Sequence, residues 1–123
     1  MNLKPFTEKP RVKRESAPTI NMDYRNGRIN FNRRTVEMLG LKAGDPIAFF
    51  QSGDYPGDWY FACQEKPGCY RLVCDSKKAE SGRLKVISGP VVRAILRSRG
   101  LYDAQTFIIG DKEEEYWPIG RAL

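Results

Sequence analysis

Histidine is absent from this 123-residue chain. Imidazole is the side chain that gives and takes protons near neutral pH. Its absence excludes Ser-His-Asp and Cys-His nucleophile activation and every His-ligated metal site. Carboxylates and lysines remain as catalytic groups, yet no acidic pair stands out with a matching partner, and the chain is not expected to be an enzyme. Long apolar runs are missing too. None approaches the roughly 20 residues that cross a bilayer, so no membrane partner is expected. The opening residues Met1-Asn2-Leu3-Lys4-Pro5-Phe6 lack the apolar stretch of a signal peptide, which makes the expected location cytoplasmic. Cysteine is scarce and odd in number, at Cys63, Cys69 and Cys74. That argues against a disulfide framework, and the spacing matches no common zinc pattern. Reduced, buried thiols are the expectation, with no cofactor implied.

What is present fits one soluble domain, and this length can bury a working core. The charge is +6, from 21 Lys and Arg against 15 Asp and Glu. Such a balance biases a protein toward polyanions. Residues 1–18 carry Lys4, Lys9, Arg11, Lys13 and Arg14 among three prolines and read as an extended basic arm. It is either a solvated tail or an arm that touches phosphates.

From Thr19 onward the chain alternates strand-like runs with turn residues. Thr19-Ile20-Asn21-Met22 alternates with period two, and Arg25-Asn26-Gly27 supplies a tight turn. Ile29 and Phe31 then point one way, Arg28 and Asn30 the other. Asn32 caps a short helix over 33–39, which Gly40 ends. Strands follow at 46–51 and 59–64, around a Gly- and Pro-rich hairpin loop. After the turn at 65–68 the order recurs: strands at 69–75 and 82–87, a helix opened by Ser88-Gly89-Pro90, and strands at 105–110 and 115–119. Gly27-Arg28-Ile29 aligns with Gly82-Arg83-Leu84, Phe31 with Val86, Val36 with Val91, and Leu41 with Leu101. The second helix reads five residues longer. Two tandem β-β-α-β-β units, 19–64 and 69–120, are expected to close into one small, mainly β barrel over 19–123 with two short helices.

Gly27-Arg28-Ile29-Asn30-Phe31-Asn32, Val36, and Leu39-Gly40-Leu41-Lys42-Ala43-Gly44-Asp45-Pro46-Ile47 resemble the SpoVT/AbrB-like swapped-hairpin family. A weaker stretch runs from Gly82 to Ile109. Asn32 stands where the family has Pro, and Arg33-Arg34 lies earlier than its usual Arg-Arg pair. The resemblance implies interlocked hairpins, here in one chain as a pseudo-dimer that approaches the double-psi barrels. It further implies DNA binding through a basic face, as in transcriptional regulators and antitoxins.

Candidate nucleic-acid-binding residues are Arg25, Arg28, Arg33, Arg34, Arg83 and Lys85. Lys77 and Lys78 join the wider basic set, as do Arg93 and Arg97 one helical turn apart. Cations in this number neutralise phosphates and give affinity without sequence choice; dispersed solvated charge is the alternative. Trp59, Tyr60, Phe61, Tyr70, Tyr116 and Trp117 either stack bases or pack the core. Asp111-Lys112-Glu113-Glu114-Glu115 reads as a charged turn, and a nucleic-acid face should lie away from it. The expected partner is DNA, bound by a monomer or weak homodimer. The alternative is a non-enzymatic protein–protein interaction or structural module.

Overall fold

The computed structural model describes residues 17–74 and 82–123. Nearly all of the basic arm, and Lys77 and Lys78, lie outside the described residues. Within them run β1 (Thr19–Asp23), β2 (Arg28–Phe31), α1 (Arg33–Leu39), β3 (Pro46–Gln51), β4 (Trp59–Ala62), β5 (Tyr70–Arg71), β6 (Val73–Cys74), β7 (Leu84–Ile87), α2 (Gly89–Ser98), β8 (Gln105–Ile109) and β9 (Trp117–Ala122). The strands form one sheet in the order β5-β3-β4-β9-β8-β1-β2-β7-β6, with every pairing antiparallel. The two terminal members of that order, β5 and β6, are separated in the chain by Leu72 alone. The sheet therefore curls back on itself into a nearly closed barrel. Among the described residues no helix is long and apolar enough to cross a membrane.

Local chemistry explains the element boundaries. Asp23 closes the β1–β2 hairpin: its Oδ1 accepts from the backbone amides of Arg25 and Asn26, its Oδ2 from the Asn26 side chain at 2.6 Å. Gly27 completes the turn at a φ of 65°, and its amide donates to the Asp23 carbonyl. Asn32 opens α1 by accepting from the Thr35 amide at 2.8 Å and from the Thr19 amide at 3.2 Å, so one side chain ties β1, β2 and the helix together. Ser88 does the same for α2, accepting from Val91 N. Burial alternates along the strands as a period-two pattern demands: Ile20 and Met22, Ile29 and Phe31, Leu84 and Val86 face inward. Phe31, Phe61 and Phe107 are the largest fully buried side chains. Phe31 and Phe61 meet edge to face at 5.6 Å. Each such ring contributes roughly 1.5–3 kcal/mol by burial.

One arginine is part of this framework. Arg99 follows α2, with its guanidinium 5.2 Å over the Phe107 ring. It donates to three backbone carbonyls: Gly57 O at 2.9 Å, Ile119 O at 2.7 Å and Gly120 O at 2.5 Å. The clamp joins the 52–58 loop, the end of α2 and β9.

The structure corrects several expectations. The thiols are free but not buried: Cys63 and Cys74 are exposed and Cys69 partly so. Cys63 follows the last residue of β4, where the chain leaves the sheet and the inward alternation ends. The strand expected at 69–75 breaks at Leu72, which turns into the core and hands the chain from β3 to β7. The last strand begins at Trp117 rather than 115, because Glu113 and Tyr116 pair with each other in a small hairpin of their own.

Candidate nucleic-acid interface

β2 and β7 lie side by side although residues 32–83 separate them in the chain, in the register Arg28↔Ile87, Ile29↔Val86, Asn30↔Lys85 and Phe31↔Leu84. The inward residues of both strands are core, so Arg28, Asn30, Lys85 and Ile87 share the outer face. Continuing the register by one residue sets Arg83 across from Asn32, immediately before Arg33 and Arg34. A strand rise of about 3.3 Å and a strand spacing of about 4.8 Å separate the Arg28 and Arg83 α-carbons by roughly 14 Å. The two arginines stand at opposite ends of the pair with Lys85 between them.

The ends of the ribbon are set by two close backbone approaches. A Cβ on Gly27 would lie 2.6 Å from the Gly89 α-carbon, so the β1–β2 turn sits directly on the first residue of α2. A Cβ on Gly82 would lie 3.0 Å from the Arg33 Cγ, so the approach to β7 sits on the first residue of α1. One end therefore gathers Arg33, Arg34 and Arg83. The other gathers Arg25 and Arg28 with Arg93 and Arg97, whose guanidiniums each lie 5.8 Å from the Tyr24 ring. Arg97 Nε donates to the Tyr24 hydroxyl at 2.8 Å, and Tyr102, 62% exposed, packs beside Tyr24. A cleft of about 650 Å³ opens there, lined by Arg25, Arg93, Tyr24, Tyr102, Asp23 and Asp103 among others.

All six candidate residues thus border the β2–β7 pair. Among the described residues Asp23, Asp103 and Glu37 bring carboxylates to these ends, and Asp23 and Glu37 are engaged. Asp23 is directly across from Arg28. Hydrogen bonds from the Asn26 side chain and amide, aided by Arg25 and Arg28, hold it below the usual carboxylate range. Glu37 pairs with Arg33 at 3.3 Å, both largely exposed. An exposed i,i+4 pair is worth only about 0.3–0.5 kcal/mol, small beside a charge-assisted bond to phosphate. The acidic segment 111–115 connects β8 to β9, and the β4–β9 pair lies across the barrel from β2–β7 in the strand order.

The aromatic residues divide. Trp59 and Phe61 are core, and Trp59 Nε1 donates to Ser98 Oγ at 2.9 Å. Trp117 packs against the core from its edge. Tyr60 and Tyr116 face outward far from the basic ribbon, and Tyr70 packs on Phe49. None of them can stack a base bound on β2–β7. Tyr24 and Tyr102 stand at the Arg25–Arg28 end of the ribbon; the sequence did not single them out because they lie outside the strand-like runs. Among the described residues no group of three or more His, Cys, Asp or Glu side chains could hold a metal ion. Neither a family model, nor a curated protein, nor a solved structure matches the chain.

Proposed function

We propose that this chain is a tandem swapped-hairpin barrel that binds nucleic acid, duplex DNA in the first place, and catalyses no reaction. The observation that carries the reading is the β2–β7 ribbon, where Arg28, Lys85 and Arg83 from opposite halves of the chain share one outer face. Two arginines roughly 14 Å apart suit the two backbones that flank a major groove about 12 Å wide. The remaining cations extend the ribbon at both ends.

The tandem reading is supported by the strand pairings. Exchanging β1 for the β5–β6 segment, β2 for β7, β3 for β8 and β4 for β9 turns each observed pairing into another observed one. Under that exchange Arg28 becomes Arg83, Gly27 becomes Gly82, and Asn30 becomes Lys85, its own cross-strand partner. The pseudo-twofold axis thus runs through the middle of the basic ribbon, which fits the approximate dyad of duplex DNA. The helix caps refine the alignment. Val36 N donates to the Asn32 carbonyl and Val92 N to the Ser88 carbonyl, so Val36 matches Val92 rather than Val91.

The test is fluorescence anisotropy with a random-sequence duplex across a salt series. Micromolar binding is expected, with a log–log salt slope of about −4, the signature of four or five phosphate contacts. Arg28→Ala and Arg83→Ala should each weaken binding and flatten the slope by about one. No binding at low salt defeats the reading and turns the search to protein partners, with exposed Ile87 at the ribbon's edge as the first contact to probe.

A further inference from the structure

Across the barrel from the basic ribbon, the outer face of β3, β4 and β9 carries a different chemistry. Phe50 and Tyr60 are direct cross-strand neighbours, and Tyr60 in turn faces Pro118. Tyr116 precedes Pro118 by two residues and so returns to the same side. Its ring meets Phe50 at 5.1 Å with the planes 80° apart. Two perpendicular rings form a corner, and a group seated in it meets at least one π face.

The carboxylates arrive by a separate device. Glu113 and Tyr116 exchange both backbone hydrogen bonds, 2.8 Å and 2.9 Å, around Glu114 and Glu115. In such a pair the two side chains stand on one side of the ladder, which sets the Glu113 carboxylate beside the Tyr116 ring. Glu114 occupies the left-handed region at a φ of 58°. Phe50, Tyr60, Tyr116, Glu113 and Glu114 line one cavity of about 510 Å³. Lys112, the one cation of this segment, holds its ammonium 5.6 Å from the Trp117 ring. Desolvation, and then Glu115 and Glu114, push the Tyr116 hydroxyl above the usual tyrosine range.

Three aromatic rings with two carboxylates suit one class of ligand. Ring faces are negative and attract cations within about 6 Å, most of all weakly hydrated ones. A small metal ion would keep its water and gain nothing from the rings. A neutral apolar group would gain nothing from the carboxylates. We propose that this cavity is a recognition site for a methylated organic ammonium ion, either a free choline-like cation or the headgroup of a methylated lysine. It is independent of the nucleic-acid reading and uses none of its residues.

The experiment titrates the protein with choline chloride and with dimethylbutanol, its uncharged carbon isostere, following backbone amide NMR shifts at Phe50, Tyr60 and 113–116. Choline is expected to bind at least about tenfold more tightly than the isostere, the ratio that one or two cation–π and ionic contacts supply. Peptides carrying trimethylated and unmodified lysine distinguish the two sources: a preference for the methylated peptide over choline identifies a protein ligand, the reverse a free cation. Glu113→Gln with Glu114→Gln should remove the preference for charge, and Tyr116→Leu should abolish binding, whereas Tyr116→Phe should retain it. Thermal melts check that each variant folds, and the paired glutamine variant, which keeps shape and backbone, decides the matter should Tyr116→Leu unfold. Equal binding of choline and its isostere overturns the proposal, as does the absence of shifts at these residues with choline up to about 10 mM.

Discussion

Removing the Arg99 guanidinium should cost this barrel more stability than removing any exposed cation. The guanidinium donates to Gly57 O, Ile119 O and Gly120 O, and among the described residues no carboxylate accepts from it. Burial lowers its pKa, partly offset by Asp58, so the charge is held at a desolvation cost. Hydrogen bonds to charged groups contribute about 1.5–3 kcal/mol each, or roughly 4–9 for three. Partial burial of a guanidinium returns several of these. The net loss for Arg99→Met, which keeps the stem against Phe107 but removes every donor, is therefore about 2–4 kcal/mol. At about 4 °C per kcal/mol for a domain of this size, the melting temperature should fall by roughly 8–16 °C. Arg99→Lys should recover about 1 kcal/mol, since an ammonium reaches one carbonyl where the planar fork reaches three. Urea unfolding followed by tryptophan fluorescence measures each difference, with Arg97→Ala, whose partner is the exposed edge of Tyr24, as the control. A loss below about 1 kcal/mol for Arg99→Met, or no difference from Arg97→Ala, refutes the view that the clamp holds loop, helix and β9 together.

Gly27→Ala and Gly40→Ala share a left-handed backbone, at φ values of 65° and 67°, but only the first meets a neighbour. Gly40→Ala should cost about 1–2 kcal/mol, and Gly27→Ala clearly more in the same urea assay, because the Gly89 backbone cannot step aside. Asp23 has a depressed pKa in the fold, so its contribution is present above the unfolded aspartate value and lost as pH falls through the lower folded value; Asp23→Asn should therefore destabilise at pH 7, and progressively less as the pH falls below about 4. Thiol titration with an aromatic disulfide should label Cys63 and Cys74 in the native protein, with Cys63 slower, since desolvation and then Asp45 push its pKa up.

Much of the architecture was legible where a boundary depends on one residue's chemistry. The bounds of α1 follow from the Asn32 cap and the left-handed Gly40, and those of β3 from Pro46 and the loop beyond Gln51. Boundaries set by distant contacts were not legible. The break at Leu72 exists because a single extended segment must serve β3 on one side and β7 on the other, which no local pattern encodes. Likewise α2 outruns α1 from cap to terminal glycine by one helical turn. For the candidate site, the cations could be read individually, but their shared face depends on β2 lying beside β7. The Tyr24–Arg93–Arg97 stack depends on Gly27 resting on Gly89 in the same way.

On the tandem reading, the two poles of the barrel have diverged to different degrees, and the difference separates the two proposed activities. At the β2–β7 pole Arg28 keeps its chemistry in Arg83, and Asn30 is matched by its own cross-strand partner Lys85. At the β4–β9 pole, Phe50 corresponds to Gly110 and Tyr60 to Pro118, and a Cβ on Gly110 would press on the Pro118 ring at 3.2 Å. The first half thus supplies the Phe50 and Tyr60 rings and the second adds Tyr116 and the carboxylates, while the place equivalent to Phe50 holds a bare backbone against a proline. A ligand that spans the axis is met by an arginine from each half, whereas the pocket takes different side chains from the two halves and has no symmetric counterpart. Substitutions at the two poles should therefore act independently. Arg28→Ala and Arg83→Ala should weaken DNA binding and leave choline shifts intact, and Glu113→Gln with Glu114→Gln should do the converse. A variant at either pole that lost both activities while keeping its melting temperature would refute this division.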